Sequence, residues 1–159
     1  MIAALLCTAL AGLSVGTAYG QKAAPADGKA VAACLKKAEE AGQYPGRCIG
    51  IVADPCIDVA RTKASYREDS KACAARELAV WSALMAEALK RGVPVADKRM
   101  TAAITESQKA FALSRDTLCP IYDNVDPDMA LGGANYCRLQ ETARRALMLR
   151  RLADAINEH

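Results

Sequence analysis

The side chains best suited to chemistry in this chain are its cysteines, seven in 159 residues, set against a single histidine, His159, at the last position. Cys7 lies in an apolar leader. Cys34, Cys48, Cys56, Cys73, Cys119 and Cys137 remain, an even set that reads as disulfides in an exported protein. Such a set of six allows fifteen pairings, and the sequence by itself does not choose among them. The preferred set is the local one, Cys34 with Cys48, Cys56 with Cys73 and Cys119 with Cys137, because each bond then closes a loop between neighbouring helices. Loops of this size are worth roughly 3 kcal/mol apiece in the chain-entropy account. A zinc site is the rival use of the sulfurs. With no C-x-x-C pair and no internal histidine, neither a metal nor any other cofactor is expected.

The same inventory argues against an enzyme. A histidine at a fraying terminus cannot serve as the base of a serine or cysteine triad. No glycine loop of the phosphate-cradling kind is present, and Gly132-Gly133 reads as turn chemistry ahead of the last helix. The carboxylates instead offer a surface. From Asp116 to Asp128 the chain carries Asp116, Asp123, Asp126 and Asp128 with no Lys or Arg among them, and Tyr122 as an aromatic anchor. Acidic groups around an aromatic suit contact with a cationic protein. The competing reading is a solvated connection between helices. A calcium loop fails, because glycine and a terminal glutamate are missing from the required positions.

Helices must position these groups. Asp27 is placed to cap a first helix through Val31, Cys34, Leu35 and Ala38, ending at Gly42. A shorter element runs from Gly46 through Val52 and restarts at Asp54-Pro55, with Asp54 as N-cap. Arg61 to Asp69 is polar and suits a loop. From Ser70 to Arg91, Leu78, Trp81, Met85 and Ala88 recur on one face. Asp97 then caps a helix whose Ile104, Phe111 and Leu118 stand seven apart, and Pro120 stops it. After a long non-helical stretch, residues 121–135, the final helix carries Leu139, Thr142, Ala146, Leu149, Ala153 and Ile156 as a heptad-like stripe. No segment has the alternation of a strand. The fold expected is all-α, a small disulfide-stapled bundle of four to five helices.

Residues 1–20 contain no charged side chain and end in Ala18-Tyr19-Gly20, which reads as a signal peptide cleaved after Gly20. The remaining chain of about 140 residues is enough for one core. It divides into an N-terminal helical extension, residues 21–55, and a helical domain, residues 56–159. The formal charge of +3 is spread through every helix, and one Trp and one Phe leave no interleaved basic and aromatic surface. Nucleic acid is therefore not an expected partner, and membrane contact is not expected once the leader is removed. The expected location is periplasmic or secreted.

Cys73-Ala-Ala-Arg-Glu77 with Leu78 and Trp81, then Gln108, Phe111, Arg115-Asp116 and Cys119, then Gly132-Gly133, Cys137, Thr142 and Arg145 form an ordered series. In order and spacing it resembles the lysozyme inhibitor LprI-like family of small exported bacterial helical domains, over about residues 56–150. The resemblance implies a protein that binds and inhibits lysozyme-type muramidases. This chain departs from the family pattern with Ser82, Met85-Ala86 and Leu89, where an Asp, a Leu-Asn pair and a Tyr are usual, and with Phe111 in place of Trp. The matching polar residues, Glu77, Gln108, Arg115, Thr142 and Arg145, are expected to form a polar core in which Glu77 and Arg115 pair as buried ions and Gln108 completes their hydrogen bonds. The alternative function is a non-inhibitory envelope module that touches anionic lipid or a protein through Arg138, Arg144, Arg145, Arg150 and Arg151. These arginines lie all around the last helix, which suits solvation better.

Overall fold

A computed structural model describes residues 23–124 and 131–158. The signal-peptide reading, Asp126, Asp128 and His159 lie outside the described residues. Five α-helices are described: α1 (Pro25–Glu40), α2 (Ala53–Ala60), α3 (Tyr66–Gly92), α4 (Lys98–Leu118) and α5 (Gly133–Asn157). Short 3₁₀ turns at Pro45–Cys48, Val93–Val95 and Cys119–Asn124 join them. There is no strand among the described residues, and the fold is an all-α bundle.

The bundle is organised on the parallel pair α3 and α5: Lys71 lies beside Asn135 at their N-terminal ends, and Arg91 lies beside Asp154 at their C-terminal ends. Leu78, Trp81 and Ala88 of α3 are buried, as are Leu139, Ala146, Leu149 and Ala153 of α5, so both helices put their apolar stripes into one shared core. Gly92 lets them converge at one end, because a β-carbon there would stand 3.2 Å from the Ala153 side chain. Val31 and Leu35 of α1, with Ala53 and Ile57 of α2, complete the same core. Three disulfides staple it: Cys34 to Cys48, Cys56 to Cys73 and Cys119 to Cys137, the local set. The last of these pins both ends of the connection between α4 and α5.

Several boundaries differ from expectation. α3 begins at Tyr66 instead of Ser70, because Ser65 and Lys63 gather around Asp69 and start the helix early. Asp27 does not cap α1. Ala24 occupies that position, Pro25 opens the helix, and Asp27 lies in the first turn, where Arg76 of α3 grips it with contacts of 2.7 and 3.1 Å. Asp54 likewise lies in the first turn of α2, and Val52 is the N-cap. Asp97 does cap α4, accepting from the Met100 backbone N–H at 2.7 Å. Within α4 only Ile104 is buried; Leu118, expected on the apolar stripe, is 46% exposed. α4 therefore leans on the α3–α5 pair through long side chains more than through a close-packed face. The stretch expected to be non-helical begins with a 3₁₀ turn through Asn124.

Candidate functional site

The five polar residues singled out from the sequence fall into two separate places. Glu77 is wholly buried on α3 and faces the start of α2. Its Oε1 accepts from the Gly50 backbone N–H at 2.7 Å and the Trp81 indole N–H at 2.8 Å, and its Oε2 accepts from Val52 and Ala53, both at 2.8 Å. Four donors thus converge on one carboxylate. A negative group at the opening turn of α2 also meets the positive end of the helix dipole. This satisfies backbone N–H groups that no cap side chain serves, and Glu77 does the work expected of Asp54. The Glu77–Arg115 ion pair does not form, because the carboxylate is already saturated with N–H donors.

Gln108, Arg115, Thr142 and Arg145 do meet, across the gap between α4 and α5. Arg145 Nε donates to Gln108 Oε1 at 3.0 Å and its Nη2 donates to Ser107 Oγ at 2.9 Å. Gln108 Nε2 turns back to Met85 Sδ of α3 at 3.4 Å. Arg115 holds Asp116 at 2.9 Å and donates to the buried Thr142 hydroxyl at 3.2 Å. Phe111 lies between the two guanidiniums, 5.4 Å from Arg115 and 5.6 Å from Arg145, which stacks cations on an aromatic face. Burial lowers the pKa of Arg145, which still remains a cation. This assembly fixes α4 to the bundle.

Of the acidic connection, Tyr122 and Asp123 are described. Asp123 Oδ1 accepts from the Ala134 backbone N–H in the first turn of α5 at 3.1 Å, with Lys71 Nζ 3.5 Å away. Gly133, at φ +49°, makes room for this, since a β-carbon there would collide with Asp123 Oδ1. Asp123 thereby ties the end of the 3₁₀ turn to α5. Its neighbours face outward: Tyr122 is 43% and Ile121 56% exposed.

Behind Tyr122 lies an open cleft of about 530 Å³ between α2 and α5. Ile57, Leu131 and the Tyr136 ring supply apolar lining, and Asp54, Asp58, Arg61, Gln140, Glu141 and Arg144 supply polar groups. The Tyr136 hydroxyl donates to Asp54 Oδ1 at 2.7 Å. Burial first, and then the Asp54 carboxylate, push the phenol up to about 12, so it stays protonated. The sequence reading missed this cleft. Its signal was the spacing: Asp54 and Asp58 are four apart on α2, as are Tyr136, Gln140 and Arg144 on α5, so each set lies along one helix face. Among the described residues no group of three or more His, Cys, Asp or Glu side chains is placed to hold a metal ion. None of the described helices is long and apolar enough to cross a membrane.

The family described as "Lysozyme inhibitor LprI" matches the chain over residues 58–149, a span that takes in the end of α2, all of α3 and α4, and α5 as far as Leu149. No curated protein and no solved structure matches.

Proposed function

The chain belongs to the lysozyme inhibitor LprI family, and from that premise we propose that it is an exported protein that binds and inhibits lysozyme-type muramidases. Family membership carries this reading. Three disulfides are consistent with an oxidising compartment outside the cytoplasm. The contact surface is the connection between α4 and α5: Leu118, Ile121 and Tyr122 are exposed together, an apolar and aromatic tip of the kind that anchors protein interfaces. Asp116, Asp123, Asp126 and Asp128 surround that tip in the sequence and add negative charge against a basic enzyme. The Cys119–Cys137 bond and the Asp123 contact to Ala134 hold the tip in advance of binding, which reduces the ordering entropy lost on association. The polar assembly around Phe111 orients α4, and with it the start of the tip.

The experiment is calorimetric titration of a muramidase with the oxidised protein, alongside Tyr122→Ala and the triple change Asp123→Asn, Asp126→Asn and Asp128→Asn. Saturable binding that weakens at least about tenfold in each variant is expected. Equal affinity in both would remove this loop as the contact.

A further inference from the structure

We infer that the cleft between α2 and α5 is a binding site for a short neutral oligosaccharide, with its rings against Tyr122 and Tyr136 and its hydroxyls among Asp54, Asp58, Gln140 and Glu141. At about 530 Å³ the cleft falls within the range of small-molecule sites, ~300–1,000 Å³. Its charges select the class of ligand. Asp58 has Arg61 at 3.8 Å, Glu141 has Arg144 at 2.8 Å, and Asp54 takes the Tyr136 hydroxyl at 2.7 Å. Each carboxylate therefore already has a partner, and the lining presents donors and acceptors with little net field. An anion would face three carboxylates. A cation would have to compete with two guanidiniums.

A polyol meets neither obstacle. Each sugar hydroxyl can donate to a carboxylate while accepting from a guanidinium or from the Gln140 amide. The C–H face of a pyranose ring needs an apolar, flat surface, and the tyrosine rings with Leu131 and Ile57 provide one. Tyr136 is held in place by its bond to Asp54, so the ring wall exists before the ligand arrives. This inference does not rest on muramidase inhibition, and its test contains no enzyme.

The oxidised protein is titrated by calorimetry with N,N′,N″-triacetylchitotriose and maltotriose as neutral probes and with trilysine as a cationic one. Binding of at least one trisaccharide is expected, insensitive to added salt because the ligand is uncharged. Gln140→Ala and Asp58→Asn, both on the cleft surface, should each weaken it at least about tenfold. Unchanged circular dichroism and an unchanged unfolding midpoint in these variants would locate the loss in the cleft. Three results would overturn the site: no binding of either sugar up to about 10 mM, sugar binding that neither variant alters, or binding of trilysine alone that salt abolishes.

Discussion

Trp81 donates its indole N–H to Glu77 Oε1 at 2.8 Å, one helical turn away, and both side chains are wholly buried. The same oxygen holds the Gly50 N–H, so the largest core side chain and the turn before α2 depend on one carboxylate. Glu77→Gln keeps the volume but replaces an acceptor by a donor that must face N–H groups. A loss of roughly 2–4 kcal/mol is expected from charge-assisted hydrogen bonds and an unsatisfied donor. Urea unfolding with the disulfides intact measures it, and an unchanged midpoint would contradict this role for Glu77.

Removal of disulfides separates stability from binding. Cys119→Ala with Cys137→Ala, and Cys34→Ala with Cys48→Ala, open loops of similar length, so each pair of changes should destabilise by about 3 kcal/mol. Only the first loosens the tip that carries Tyr122. Inhibition should therefore fall for the first pair and persist for the second, at temperatures where both remain folded. Equal loss in the two would disconnect the tip from binding.

Gly133→Ala tests the tie between Asp123 and α5. The positive φ and the collision with Asp123 Oδ1 predict a loss of about 1–2 kcal/mol together with weaker inhibition. Asp123→Ala should destabilise less, because it removes the contact without straining the backbone.

The phenol of Tyr136 gives a pH signature. Its folded pKa of about 12 lies above the value of an ordinary tyrosine, about 10. Between those two values the unfolded chain has lost the proton and the native state has kept it, so stability contributed here is intact below pH ~10 and declines as pH rises toward ~12. Wild-type protein should lose more stability than Tyr136→Phe over that window. Ultraviolet titration should show one tyrosine ionising later than the others, and Tyr136→Phe should abolish that late step.

Much of the fold was legible because apolar spacing speaks directly of burial: Leu78, Trp81 and Ala88, or Leu139, Ala146 and Leu149, had only one way to face a core. The caps were less legible. Asp27 and Asp54 both looked like N-caps, yet each lies inside its helix and serves a partner far away in sequence, Arg76 or Tyr136. Local rules cannot see a competitor from another helix. The same limit applies to Glu77, whose partners include backbone groups at the start of α2 and not Arg115, the partner expected from the matching polar residues. The cleft was hidden for a related reason: its two walls belong to helices about eighty residues apart, and only packing brings Asp54 to Tyr136.

Muramidase turnover tests the central claim most directly. The oxidised protein is titrated into a c-type enzyme at low and physiological salt, with the reduced protein as control. The account predicts saturable inhibition by the oxidised form alone, at both salt concentrations. Full turnover at saturating oxidised protein, against c-type and other lysozymes alike, would contradict it.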